Sequence, residues 1–380
     1  MSFDLYVELG GSYSQNVYDI VNGNYRNTQI ADIATRIRLL AGVAAQNEGI
    51  KNYAVGGDRK TDGGYKRLVH AKKREDIIYT KELIAKEFSR LNSLGLLKPT
   101  IPDLQQLPLG TWFLQFKFTL AKPWISRDDD PFYVADSVNP VRKEKVFKVP
   151  VMAASAWKGL LRWTAAMQVW LATKKDELSA DEFAQERFAQ SLLFGDEKGE
   201  EPSGRKDFAK YIDSLLPNDR RGKALETYGD LLRKHFHLRC EDAMPHHRGR
   251  LMFYPTFFDS IDVEVINPHS RKTKAGTHPI YLECVPSNAK GTFSLLYVPF
   301  DSIGRDEWDE ATIREKASED IKRVIEAIQA MMLTYGFSAK RTSGYGAAED
   351  KITGFTRTCV YEERLTKLSK LPQVVQDVKF

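Results

Sequence analysis

The stretch "TWFLQFKFTL" (residues 111–120) alternates with a period of two. Trp112, Leu114, Phe116, Phe118 and Leu120 fall on one side, and Gln115, Lys117 and Thr119 on the other. This predicts a strand with one face on a core. Phe113 interrupts the polar side, which is therefore partly aromatic and partly basic. Just upstream, "KPTIPDLQQLPLG" (98–110) holds three prolines and no clear period, which marks a boundary or linker.

Reading downstream, a long connection leads to a short strand in "KVFKVPVM" (145–152). The segment "SAWKGLLRWTAAMQVWLA" (155–172) then predicts a helix, with Ser155 suited to the N-cap and Lys158 and Arg162 four residues apart on one face. The charge-dense region 172–230 predicts inserted helices. β-character returns in 250–266 and 278–286, joined by the basic segment 267–278, which reads as a long hairpin with a cationic tip. "GTFSLLYVPF" (291–300) is a further strand. A helix over 309–335 runs through Ile313, Ala317, Ile321, Val324, Ile328 and Met331 to Gly336, and "KITGFTRTCVY" (351–361) is a last strand. This order predicts an α+β fold with a ferredoxin-like (RRM-like) core and large helical and hairpin insertions.

The first hundred residues are helical in pattern. Ile30, Ile33, Ile37 and Leu40 mark one helix, with Asn27 or Thr28 as its N-cap; Ile77, Ile78, Leu83, Ile84, Phe88 and Leu91 mark another. Between them, "GGDRKTDGGYKR" (56–67) has no apolar period and reads as an exposed basic loop. The division expected is a helical segment 1–105, a core domain 106–360 with a helical insertion 170–250 and a hairpin 260–285, and a tail 361–380.

Composition narrows the class. The 380 residues contain 42% hydrophobic and 28% charged side chains, ordinary for a soluble globular protein. No run of eighteen apolar residues predicts a membrane span, and "MSFDLYVELGG" lacks the features of a signal peptide. Cys240, Cys284 and Cys359 are too scattered for a disulfide framework, so a reducing cytoplasm is expected. The net charge of +5 is mild, but cations gather in 58–76, 139–148, 267–278 and 338–344, each beside Gly, Pro or Asn. Four such loops favour a common anionic ligand.

The last of these is "GFSAKRTSGYGAA" (336–348). It is no phosphate P-loop, because the helix precedes its glycines and a strand follows. It suits extended nucleic acid better. Gly344 and Gly346 allow main-chain N–H groups to approach phosphates, Lys340 and Arg341 supply charge, and Ser343 adds a hydroxyl. Tyr345 either stacks on a base or packs beneath the loop. The alternative is a helix-to-strand connector whose glycines merely satisfy positive φ.

These stretches together resemble the RAMP superfamily, the RNA-binding subunits of CRISPR effector complexes, over roughly residues 106 to 360. "GFSAKRTSGYGAA" resembles its C-terminal glycine-rich loop. "VFKVPVMAASAWKGLLRW" (146–163) resembles its strand-to-helix signature, with Ala153 and Ala154 where a glycine usually precedes the serine. "SLLFGD" (191–196) resembles its Leu-Phe-Gly motif, and "RGRLMFYPTFFD" (248–259) the strand that follows. The resemblance implies a guide-RNA-binding, backbone-like subunit of a type III complex, of subtype D. Guide RNA, target RNA and other effector subunits would be its partners. Ser155, Lys158, Arg162 and the 340–346 loop would hold the guide, while Arg271, Lys272 and Lys274 would sit on a thumb-like hairpin.

"VADSVNPV" (134–141) resembles the family stretch whose aspartate cleaves target RNA with Mg²⁺. That makes Asp136 the candidate catalytic residue, shifted from the commonest form, where the acid stands in the place of Val138. Asp128, Asp129 and Asp130 read as a solvated acidic turn. Two readings compete: a non-catalytic capping subunit of the same complex, and a guide-processing endoribonuclease using His235, His237 or His246. "HFHLRCEDAMPHH" (235–247) matches no standard zinc finger and reads as a surface or RNA-facing cluster.

Overall fold

The computed structural model describes residues 13–25, 28–46, 64–127, 138–196, 208–243, 246–269, 276, 279–305, 307–357, 360–361 and 365–375. Asp128–Asp130, Asp136, Arg271, Lys272, Lys274 and most of the 56–67 loop lie outside them.

The strand expected from the alternating stretch forms as β3 (Trp112–Leu120) and is the centre of a five-stranded antiparallel sheet. On one side it pairs with β10 (Lys290–Tyr297), from Lys290 opposite Thr119 to Tyr297 opposite Trp112. On the other it pairs with β11 (Ala348–Arg357), with two register shifts. β6 (Leu251–Phe253) flanks β10, and β12 (Val360–Tyr361) flanks β11. The molecule is thus α+β with antiparallel sheets.

The apolar side of β3 is roofed by two helices, α5 (Ala154–Thr164) and α9 (Glu310–Ala330). Trp157 of α5 is fully buried, with ring centroids 6.2 Å from Phe118, 5.0 Å from Phe293 and 4.9 Å from Phe337. Its indole N–H donates to Thr256 Oγ1 at 3.0 Å, so its one polar atom is satisfied. α9 starts at an Asp309 cap, whose carboxylate accepts from Thr312 N, and buries Ala317, Ile321, Val324 and Ile328 as its period requires. Both helices run on into a π-helical turn, Ala165–Trp170 and Met331–Tyr335.

On the opposite sheet face, Phe113 makes a small second core with Leu296 and Val298, and Leu104 and Leu107 pack against it. The proline-rich linker therefore lies on the sheet, and Pro99 O accepts from Gln115 Nε2 at 3.1 Å. Lys117 stays exposed on that face.

The expected β-hairpin is β8 (Asp262–Ile266) with β9 (Ile280–Cys284), and β4 (Val138–Asn139) runs parallel to β9. The strand expected in 145–152 shrinks to β5 (Val151–Met152), paired with β7 (Thr256–Phe257). Its first half is a tight turn in which Lys148 adopts φ 57°, closed by Glu144 N donating to Val149 O and Lys148 N to Glu144 O. The insertion is helical as read: α6 (Ala180–Phe194), capped by a reciprocal Ser179–Glu182 box, α7 (Phe208–Asp213) and α8 (Asn218–His235).

The N-terminal part comprises α1 (Tyr13–Asn22), the two-residue strands β1 (Asn24–Tyr25) and β2 (Thr28–Gln29), α2 (Ile33–Gln46), α3 (Tyr65–Val69) and α4 (Ala85–Ser93). The cap of α2 is Asp32, which accepts from Thr35 N at 2.8 Å, rather than Asn27 or Thr28. Val17, Leu40, Leu68, Ile84 and Leu91 join the same apolar cluster as the central sheet. So do Leu365, Leu368 and Leu371 from the segment set apart as a tail, which ends in α10 (Leu371–Val375). Glu283 of β9 fastens these parts. Fully buried, it accepts from Tyr65 Oη, Lys143 Nζ and Val141 N.

No helix among the described residues is long and apolar enough to cross a membrane.

Candidate nucleic-acid interface

α5 follows Pro150 and β5, and starts at Ala154 with Ala153 as cap and no side-chain cap. Ser155 is therefore inside the first turn rather than capping it, with its hydroxyl exposed. An uncapped start leaves first-turn N–H groups able to meet an anion. Four-residue spacing then lines up Ser155, Gly159 and Trp163 as one stripe, beside Lys158 and Arg162 as another. Gly159 is exposed, and a Cβ placed there would meet nothing within 4 Å. The first stripe is a shallow trough only in the sense that Gly159, between Ser155 and Trp163, carries no side chain and opens on space.

The glycine-rich loop reaches the far end of this trough. Arg341 lies with its guanidinium 4.1 Å from the centre of the Trp163 ring. Burial pushes the Arg341 pKa down, and its buried Nη1 has no hydrogen-bond partner among the described residues. Two motifs about 180 residues apart in the chain thus meet. Lys340 precedes Arg341 in a left-handed conformation, φ 58°, and is exposed, as are Ser343 and Gly344.

The loop is tied to the segment after β3. Ala339 N donates to Ile125 O and Gly346 N to Pro123 O, while Trp124 Nε1 donates to Phe337 O. Gly346, at φ 72°, has no room for a side chain, since a Cβ would sit 2.3 Å from Ser338 Cβ. Gly344 N donates to Arg341 O at 2.8 Å. The Gly344 and Gly346 N–H groups expected to cradle phosphates are thus both occupied, one within the loop and one by Pro123 O. Tyr345 takes the second of its two expected places. It packs beneath the loop against Ile125, Leu282 and Cys284 and donates to Glu264 at 3.1 Å.

Lys158 is half-buried. Burial, then repulsion from Arg162, pushes its pKa down against the pull of Asp196, with Arg248 adding to the repulsion. Arg162 is turned inward: its guanidinium donates to Asp196 O at 2.8 Å and Gly195 O at 3.1 Å and stacks over Phe208 at 5.1 Å. The "SLLFGD" motif is the end of α6, with Gly195 at φ 81°, so Arg162 secures that turn to α5.

The histidines divide among separate partners. His235 bonds Asp301 at 2.8 Å inside a buried network with Arg250, Asp320 and Tyr297. His246 Nδ1 and His247 Nδ1 both reach Asp196 at 2.6 Å, and His237 lies by Glu307. No three His, Cys, Asp or Glu among the described residues are placed to hold a metal ion. Cys284, buried in β9, has its thiol pKa pushed up by desolvation and nearby carboxylates, which makes it inert.

The family model of the RAMP superfamily matches residues 130–349, more than half of the chain, and the chain belongs to that superfamily. Among solved structures, the chain is similar to one in a type III-B Cmr-beta complex bound to cognate target RNA. The identity is 11% over 84% of this chain and 92% of that one, with a TM-score of 0.39. It is similar to a chain of a type IV-B CRISPR complex at 10% identity, covering 66% and 91%, TM-score 0.34. It is also similar to Cmr6 from Pyrococcus furiosus at 16%, covering 63% and 97%, TM-score 0.29. No curated protein matches it.

Proposed function

We propose that the chain is a guide-RNA-binding backbone subunit of a type III CRISPR RNA-guided interference complex, of subtype D, built on a ferredoxin-like core. The strand order β11–β3–β10–β6, with α5 after β3 and α9 between β10 and β11, supports that core. One observation carries the functional reading. The superfamily's motif helix and glycine-rich loop converge at the Arg341–Trp163 stack, beside Lys158 and an open trough. A ribose-phosphate strand lying along α5 would meet Lys158 on one flank and Lys340 with Arg341 at the end. Most of its affinity would be electrostatic. Arg162 and Tyr345 act in this reading as supports that hold the helix and the loop in place.

Gly159 gives the sharpest test. It sits in a helix interior with open space above it, so Gly159→Leu gains about 1 kcal/mol of helix propensity. The variant should be at least as stable to urea as the parent yet bind single-stranded RNA about tenfold more weakly. Unchanged RNA affinity would count against the trough.

Cleavage of target RNA with Mg²⁺ is the finer part of the proposal and rests on Asp136 as metal-holding carboxylate. In the assembled complex, Asp136→Ala should remove one cut of a labelled target while guide and target binding persist. If every cut remains, the chain is a capping or scaffold subunit.

A further inference from the structure

Neither Lys158 nor Arg248 pairs with a carboxylate among the described residues. Asp196, the carboxylate whose charge acts on Lys158, is also held by His246 Nδ1 and by the His247 N–H. A chain of contacts puts the two cations side by side. Gly195 bridges to Arg248 across the backbone, and the Gly195 carbonyl is held by Arg162, one turn along α5 from Lys158. Gly249 fixes that approach, since a Cβ there would lie 2.4 Å from Phe194 backbone. Around Lys158 the repulsion of Arg162 and Arg248 is offset only in part by Asp196, a balance that a bound anion would shift toward the charged form.

Arg248 is also exposed and pre-set. Its guanidinium lies 5.0 Å over the ring of Phe300 and donates to Met252 Sδ at 2.8 Å. Phe300 is itself 38% exposed, on the turn that follows β10, and its neighbour Ile303 is 63% exposed. An exposed ring carrying a guanidinium offers a π-face for a base and charge for the adjoining phosphate. An acidic protein segment would use the charge but not the ring.

We propose that Arg248 and Phe300 form a second single-stranded RNA contact, a stacking platform that continues the α5 trough past Lys158 on the side away from Arg341. The inference rests on the functional reading above. The RNA path then has a cation–aromatic stack at each end, Arg341 on Trp163 and Arg248 on Phe300, with Lys158 between them.

The test measures binding of the full-length chain to fluorescent single-stranded RNA of twelve or so nucleotides, across a salt series, with poly-glutamate as a second probe. Arg248→Gln should weaken RNA binding about tenfold and reduce the slope of log Kd against log salt by about one. Phe300→Ser should weaken it about fivefold with the slope unchanged, as expected for stacking. The urea midpoint of each variant, expected to stay close to the parent's because both side chains lie at the surface, separates a lost contact from a lost fold. RNA affinity within twofold of the parent for both variants would overturn the platform, as would losses confined to poly-glutamate. If Lys158→Gln also leaves RNA affinity unchanged, the functional reading fails as well; if Lys158→Gln weakens binding and these two do not, the platform alone fails.

Discussion

Glu283→Ala should lose about 3–5 kcal/mol of folding stability, the usual cost of removing one partner of a buried ion pair. Glu283 is fully buried and Lys143 nearly so, with side-chain exposures of 0% and 5%. The truncation takes from the buried Lys143 ammonium its ion-pair carboxylate, and from Tyr65 Oη and Val141 N an acceptor that they share with it. Three stretches depend on that carboxylate: the N-terminal helices, the strand after residue 137, and the β8–β9 hairpin. Urea unfolding should show a lower midpoint with an unchanged slope. The double variant Lys143→Met with Glu283→Leu should recover most of the loss, because it removes both charges. A loss below about 1 kcal/mol in the single variant would mean that Glu283 does not hold these parts together.

Trp157→Ala should cost a similar amount, about 3–5 kcal/mol, for a different reason. The ring fills the space between Phe118, Phe293 and Phe337, so its removal leaves a cavity among three large rings. Thr256 Oγ1 loses a donor as well, though it keeps its own bond to Thr292 O at 2.7 Å. Trp157→Phe should lose less, since it keeps most of the contact. Because Trp157 points into the core while Lys158 and Gly159 point out, variants on the two faces of α5 should separate. Core variants lower the urea midpoint, and trough variants lower RNA affinity with the midpoint kept.

Much of this fold was legible because its elements carry strong periods. The alternation in 111–120 placed β3 correctly, and the 3.6-residue spacing from Ile313 to Met331 placed α9. Both reflect one-sided burial, which sequence records directly. Phe113, the exception to the alternation, is explained by Leu104 and Leu107: a linker without periodicity covers a sheet face that the strand pattern alone leaves open. The α2 cap was misplaced because Asn27 and Thr28 have capping chemistry, but Asp32 stands next to the first residues with helical geometry. The strand read in 145–152 shortened because Lys148 turns left-handed, which no propensity signals for a lysine.

Part of the candidate interface was legible: Trp163 of the motif helix and Arg341 of the 340–346 loop come from two stretches read as motifs, and they meet. Arg162 was read as a phosphate ligand because it shares a helix face with Lys158. The carbonyls of Gly195 and Asp196 that claim it come from 33 and 34 residues away and leave no local trace. Arg248 lay in a stretch noted only for its strand, and Phe300 at a strand's end with no motif around it. Pairing of β6 with β10, continued by the Val298 N–Arg250 O bond, is what brings them to the same surface. Long-range pairing of this kind is set by sheet topology rather than by neighbouring residues.

The central claim is that α5 and the glycine-rich loop together form one binding face for a ribose-phosphate strand. A salt titration of full-length protein with single-stranded RNA, run beside Lys158→Glu, tests it most directly. The expected result is affinity that falls steeply between about 50 and 200 mM salt, with Lys158→Glu weaker by at least about tenfold at the low end. Binding that ignores salt, or a Lys158→Glu protein that binds as well as the parent, would contradict it.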